Sequence, residues 1–356
     1  MAQQQHRPSG RVVVIGLGGT IAMRPADGGG AVPALSPAEL VAAVPQLADT
    51  DVEVEAVGLH ERPGASVGFD DLDALRLAVE HHLGAGVDGV VVTQGTDTIE
   101  ETSYLLDLTY GRSAPVVVTG AMRNPSLAGA DGPANLLAAV QTAASSEARG
   151  HGVLVVFNDE IHAARRVRKM HTSNPATFRS PNGGPLGYVV EGRPRLLNRL
   201  DHRPVVPVPA EPPHPNVGLY TVTLGDDGGG LADAADRYDG LVVAAFGAGH
   251  VAQPMVAPLS ALAARMPVVL ASRTGEGSVL SETYGFGGSE SDLLARGLLR
   301  AGFLDPLKAR ILLHTVLRVT TDQQALTAAF GVAGGYADPT TWPWPDRQAT
   351  ARSSGT

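Results

Sequence analysis

The stretch Gly89-Val90-Val91-Val92-Thr93-Gln94-Gly95-Thr96-Asp97-Thr98-Ile99-Glu100-Glu101-Thr102 decides how this chain is read. Its β-branched run suits a short buried strand, the glycine allows a tight turn at the strand's end, and the residues from Thr98 onward suit a helix start. Hydroxyls and a carboxylate therefore crowd one turn. In an open α/β sheet, strand ends that point at helix N-termini are where ligands bind, because loop amides and the helix dipole converge there. Two readings stand side by side: a candidate site, or a cap in which Thr96, Asp97 and Thr98 merely start the helix and Glu100 or Glu101 completes a capping box.

The same pattern recurs along the chain. Arg11-Val12-Val13-Val14-Ile15 runs into Gly16-Leu17-Gly18-Gly19-Thr20-Ile21-Ala22, a strand end that presents Thr20 beside glycine amides. These glycines do not make the dinucleotide fingerprint, because Ile21 stands where its third glycine belongs. Ala114-Pro115-Val116-Val117-Val118-Thr119-Gly120-Ala121-Met122-Arg123 and Gly152-Val153-Leu154-Val155-Val156-Phe157-Asn158 supply further strands, and Val52 begins another. Helix starts follow at Ser36-Pro37-Ala38-Glu39, a capping box with proline at the first helical position, at Asp70-Asp71-Leu72, and around Pro133. Strands alternating with helices imply an α/β fold, a doubly wound, mostly parallel sheet whose strand ends share one crevice. Residues 23–32, with Gly28-Gly29-Gly30, read as a loop, either a lid or a plain surface segment. Arg165-Arg166-Val167-Arg168-Lys169 reads by composition as a solvated face.

From Val217 the grammar restarts, with strand-like Tyr220 to Leu224, helix-like Leu231 to Tyr238, and strands at Leu241 and Pro267. The expected division is a flexible N-terminus (1–10), a catalytic N-terminal domain (11–200), a proline-rich linker (201–216), a smaller C-terminal α/β domain (217–338) and a flexible tail (339–356). A length of 356 residues accommodates two such cores. Aromatic residues are only 4% of the chain, so valine, leucine, isoleucine and alanine must fill both. A formal net charge of −9 argues against nucleic acid as a partner. The absence of cysteine excludes disulfides and thiolate metal sites, and the scattered histidines show no HExxH-like spacing, so neither metal nor cofactor is expected. Residues 1–10 lack the apolar core of a secretory signal, and no run is long enough to span a membrane; a cytoplasmic protein without a membrane partner is expected.

Five motifs in register carry a resemblance: Gly18-Gly19-Thr20-Ile21-Ala22, the Gly95 to Thr102 turn, Gly120-Ala121-Met122-Arg123, Ala130-Asp131-Gly132-Pro133, and Ala176-Thr177-Phe178 with Gly184-Pro185-Leu186-Gly187-Tyr188. Over residues 11–326 the chain resembles the bacterial-type L-asparaginase family of threonine amidohydrolases. The resemblance implies hydrolysis of a side-chain amide, that of asparagine or alternatively of glutamine or a related amide, to carboxylate and ammonia through a covalent acyl-enzyme. Carried over residue by residue, it makes Thr20 the nucleophile and Thr96, Asp97 and Lys169 a second set that polarises threonine and water. Ser66 becomes a ligand of the substrate carboxylate, Asp97 a partner of its amine, Ala121 a backbone donor to the amide oxygen, and Gly19 and Gly95 substrate-lining turns. It also implies a homodimer or homotetramer in which a neighbour lends an acid to the site, with Glu276, Glu282 and Glu290 as candidates. The chain departs from the family pattern at four places: residues 23–32 contain no tyrosine, Gln94 stands where histidine is common, Val67 where glutamine is, and the region of His250 lacks an asparagine. A binding module or amino-acid sensor on the same fold is the alternative from a different class; the ammonia-supplying subunit of a transfer-RNA amidotransferase is a third.

Overall fold

Valine-rich runs, short and buried on both faces, build the N-terminal unit as a parallel sheet. The computed structural model describes residues 10–25, 31–33 and 35–345. The chain divides into two compact units, Met1–Arg203 and Pro204–Thr356. In the first, β1 (Gly10–Gly16) leads to a hairpin of β2 (Met23–Pro25) and β3 (Ala31–Pro33), then to α1 (Pro37–Ala42), β4 (Val52–Gly58) and α2 (Phe69–Gly84). β5 (Gly89–Thr93), α3 (Ile99–Thr109), β6 (Val116–Thr119), α4 (Gly132–Ala144) and β7 (Val153–Phe157) complete the parallel part. Short antiparallel strands follow: β8 (Glu160–Ala163), β9 (Arg168–Lys169), β10 (Phe178–Arg179), β11 (Gly187–Val190) and β12 (Arg193–Leu196).

The eight-stranded sheet runs β12-β11-β8-β7-β6-β5-β1-β4. Its parallel part therefore starts at β1, moves out to β4, and returns across β1 to β5, β6 and β7. That reversal leaves a crevice at the carboxyl ends of β1 and β5, the place where open α/β sheets bind ligands. One face of the sheet, with Val12, Val14, Val91, Val117 and Leu154, packs on Leu136, Ala139, Val140 and Ala143 of α4 and Leu40 of α1. Each such side chain removed from water stabilises the fold by about 1.5–3 kcal/mol before entropy is counted. Ser36 caps α1 as its sequence implies, its hydroxyl accepting from the Glu39 amide while Glu39 reaches back to the Ser36 amide.

Three expectations need correction. Residues 23–33 are not simply loop: two strands pair there in a hairpin, whose connecting residues 26–30 lie outside the described residues along with 34. The run from Arg165 to Lys169 is not a solvated face, because Val167 is buried and each of its basic side chains is at most partly exposed. Burial lowers the pKa of Arg165, against the pull of Asp107 and Tyr104. The segment after residue 338 is structured as far as it is described: Pro339–Thr341 form a 3-10 turn capped by Asp338, and the Trp342 indole donates to the Val205 carbonyl. Residues 346–356 lie outside the described residues.

The second unit holds a parallel sheet of β13 (Val217–Thr221), β14 (Gly240–Ala245), β15 (Val268–Ser272) and β16 (Leu299–Arg300) in that spatial order. Its first strand begins three residues earlier than the expected Tyr220. The helix expected over Leu231 to Tyr238 is only a 3-10 turn, Gly229–Leu231, followed by the four-residue α5 (Ala234–Arg237). Helices α6 (Val256–Ala263), α7 (Glu290–Ala295), α8 (Pro306–Leu317) and α9 (Gln323–Ala333) complete it.

Glu290, at the start of α7, is fully buried. Its Oε1 accepts from the Thr283 and Tyr284 amides, and His250 Nε2 lies 3.1 Å from Oε2. Burial pushes this carboxyl up, but the Tyr284 amide, its own amide, His250 and the Thr283 amide outweigh it and leave the pKa below the ordinary carboxylate value. A folded-state pKa below the unfolded one stabilises the protein above the unfolded value, and that stability is lost as pH falls through the folded one. Glu290→Gln is expected to cost about 1–3 kcal/mol at neutral pH, with the gap to wild type closing as pH is lowered through the carboxylate range. Urea melts at stepped pH measure it; a pH-independent gap contradicts the assignment. Gly19→Ala tests the first unit. Its φ is +91° and an added Cβ would overlap the Gly95 backbone. The expected loss is about 3 kcal/mol or more, read as a shift in denaturant midpoint.

Candidate active site

Backbone turns, held together by glycine, assemble the site at the crevice between β1 and β5. A Cβ on Gly19 would collide with Gly95, and one on Gly95 would stand 2.6 Å from the Gly64 amide nitrogen. At these glycines the turns after β1, β4 and β5 therefore meet main chain on main chain. Each delivers a hydroxyl close to the contact: Thr20 opens the 3-10 turn Thr20–Ala22, Ser66, itself exposed, closes the turn Gly64–Ser66, and Thr96 opens Thr96–Thr98. Ile21 and Ala22 are buried beneath Thr20 and fix its turn to the core, where Gly132 leaves room for the Ile21 side chain.

The capping reading of the Gly95 turn fails. Neither Gly95 nor Thr98, the residues in cap positions, makes a side-chain cap bond. Thr98 instead donates its hydroxyl to the Gly64 carbonyl at 3.1 Å, stapling this turn to the Ser66 turn. Gln94, fully buried, donates from Nε2 to the Gly95 carbonyl and to Thr98 Oγ1, both at 3.3 Å. Thr96 and Asp97 turn toward Lys169: its Nζ donates to Thr96 Oγ1 at 2.9 Å and to Asp97 Oδ1 at 2.8 Å. Lys169 is 73 residues from Thr96 and arrives on β9, whose pairing with β10 places it opposite Phe178. Its side chain is 17% exposed while that of Asp97 is 60% exposed, so the lysine is the sheltered member of the pair.

Ala121 stands buried at the end of β6. The next two amides, of Met122 and Arg123, donate to the Asp131 carboxylate at 3.0 and 2.8 Å. Asn135 donates to the Gly120 carbonyl and to Asp131, and accepts from the Asn158 amide, which ties the ends of β6 and β7 to α4. The resemblance quoted Asp131 as part of a motif and gave Asn135 no part; both hold the Ala121 turn in shape. Four residues apart on one helix start, they carried a spacing signal.

The described structure thus brings Thr96, Asp97 and Lys169 into direct contact and puts Gly19, Gly95, Thr20 and Ser66 on touching turns. Ala121 lies on the neighbouring strand end of the same edge. Of the acids considered for a shared role, Glu290 has its carboxylate committed inside its own unit, whereas Glu276 and Glu282 are exposed. Asp97 and Lys169 can orient and polarise a hydroxyl, and the turn amides can receive negative charge developing on a carbonyl oxygen.

Comparison with known proteins identifies the family. Residues 11–202 match the family model for the asparaginase N-terminal domain, and residues 216–330 the one for the glutaminase/asparaginase C-terminal domain. A probable L-asparaginase of Deinococcus radiodurans is 38% identical over 326 residues, covering 90% of this chain and 97% of that one. L-asparaginase 2 of Escherichia coli is 35% identical, covering 90% and 92%. A solved structure of a probable cytoplasmic L-asparaginase from Campylobacter jejuni superposes with a TM-score of 0.79 at 34% identity, covering 90% of this chain and 99% of that one. With both domain models matched in order and the relatives covered almost end to end, the chain belongs to the bacterial-type asparaginase family.

Proposed function

We propose that this protein hydrolyses the side-chain amide of L-asparagine, or of the closely related L-glutamine, to the carboxylic acid and ammonia through a threonine acyl-enzyme. The observation that carries the reading is the Lys169 Nζ held at 2.9 Å from Thr96 Oγ1 and 2.8 Å from Asp97 Oδ1, beside the turn that bears Thr20. In this scheme Thr20 Oγ attacks the amide carbon and its proton passes toward the Thr96–Lys169 pair. Negative charge gathers on the carbonyl oxygen, where the amide at Ala121 is placed to receive it. The C–N bond breaks, the nitrogen leaves with the proton as ammonia, and Thr20 carries the acyl ester. Water, oriented at Thr96, then adds to the ester carbon and restores the hydroxyl. Ser66 and the exposed side of Asp97 take the substrate's carboxylate and ammonium, which gives a zwitterion its two opposite anchors.

The cytoplasm is the proposed compartment, supported by the Campylobacter relative; among the described residues no helix is long and apolar enough to cross a membrane. A homodimer or homotetramer belongs to the same proposal, with Glu276 or Glu282 as the acid lent to a neighbour. Ammonia release from asparagine and glutamine tests the chemistry. Thr20→Ala, Thr96→Val and Lys169→Met are each expected to lower kcat/KM by roughly 100-fold or more. Equal rates in wild type and all three variants rule the reading out.

A further inference from the structure

Lys169 sits on a strand of only two residues, and the hairpin that carries it needs an anchor. β9 pairs with β10 through Lys169 opposite Phe178 and Arg168 opposite Arg179. At its far end the hairpin is closed by its own bonds, the Met170 amide to the Thr177 carbonyl and the His171 amide to Thr177 Oγ1. Nothing in those bonds fixes the hairpin to the sheet. Contacts on and just after β10 do, and Arg168 of β9 adds an ion pair to Glu100 of α3 at 4.0 Å. Phe178 packs on Phe157 of β7, ring centroids 4.7 Å apart, which is apolar and tolerant of sliding. Ser180, immediately after β10, meets His162 of β8, with Oγ 2.9 Å from Nδ1.

His162 is wholly buried, and neither the family motifs nor the proposed chemistry gives it a task. Its Nε2 stands 3.3 Å from Glu160 Oε2, while the other Glu160 oxygen accepts from Arg179 at 3.2 Å. The contact with His162 is the largest cause holding the Glu160 carboxyl below its ordinary pKa, ahead of the opposing effect of burial. His162 thus stands between the Glu160 carboxylate and the Ser180 hydroxyl, with one ring nitrogen facing each. Arg179 closes the circuit, since it belongs to β10 itself. A buried, directional hydrogen bond specifies one register, where the ring contact alone allows several.

We infer that Glu160, His162 and Ser180 form a positioning chain that sets the β9–β10 hairpin at the height where Lys169 Nζ reaches Thr96 and Asp97 together. The inference rests on the proposed role of Lys169. It separates support from chemistry: none of the three touches the reacting atoms, and their effect passes through the lysine. A misplacement of about 1 Å at a catalytic group can cost on the order of 100-fold in rate.

Ser180→Ala, which removes the hydroxyl and leaves His162 in place, is expected to lower kcat roughly ten-fold with KM for asparagine little changed and the protein still folded. His162→Asn, which keeps a polar group facing Ser180, is expected to retain most of the wild-type rate. Placed on Lys169→Met, the Ser180→Ala change is expected to cause no further loss, because the group it positions is gone. Wild-type kcat in folded Ser180→Ala overturns the inference, as does an equal proportional loss in the Lys169→Met background. Wild-type ammonia release and its loss in Lys169→Met alone report on the functional reading, so its failure is told apart from failure of the positioning chain.

Discussion

The site depends on a place where side chains are forbidden. Gly19, Gly64 and Gly95 bring three turns together so closely that a single Cβ would force two of them apart. Gly19 also needs a φ of +91°, which L-residues with side chains rarely adopt. Because the contact is main chain on main chain, the distances between the turns are set by backbone geometry, without adjustable rotamers. Thr20, Ser66 and Thr96 stand one or two residues from it, so their hydroxyls inherit its precision. A site built this way is preorganised before any ligand arrives, which is the condition for oriented dipoles to stabilise developing charge without reorganising.

The sheet explains why the contact forms there. The reversal of strand order at β1 and β5 sends the connections that leave them in opposite directions along the sheet, and the Leu17 amide bonds the Thr93 carbonyl at 2.8 Å. The next strand end is braced differently. Asp131 and Asn135, at the start of α4, gather the Gly120 carbonyl and the amides of Met122, Arg123 and Asn158, so polar side chains hold the Ala121 turn where glycines hold the others. Two solutions to one problem therefore sit along a single edge.

Much of this was legible because it is local. Valine runs, the Ser36 capping box and glycines at strand ends are short-range signals, and the five motifs carried the family. The chemistry of Thr96 and Asp97 was not separable from helix capping by local rules, since hydroxyls and carboxylates serve both; Lys169, 73 residues away, decides between them. The antiparallel arm β8 to β12 was illegible for a related reason. Its strands are two to four residues long, too short to show a period of two, and their pairing exists only in the tertiary structure. Composition misled at Arg165 to Lys169, where four charges in five residues resemble a solvated surface but alternate with contacts to the interior. His162 and Ser180 left no signal, being an ordinary histidine and an ordinary serine until the arm folds.

Asp97 joins the two halves of the proposed reaction. A carboxylate can accept about four hydrogen bonds; Oδ1 takes one from Lys169, and 60% of the side chain is still exposed. The same group can therefore steady Lys169 and meet the ammonium of a substrate. These demands compete for one negative charge, and the geometry resolves the competition by depth. Lys169, the more sheltered, is held from below by the arm and bonded to Thr96 as well, so it does not rely on Asp97 alone for its place. A substrate amine arriving from the open side can then share the carboxylate without releasing the lysine, and binding leaves the Thr96–Lys169 contact intact for the chemical step.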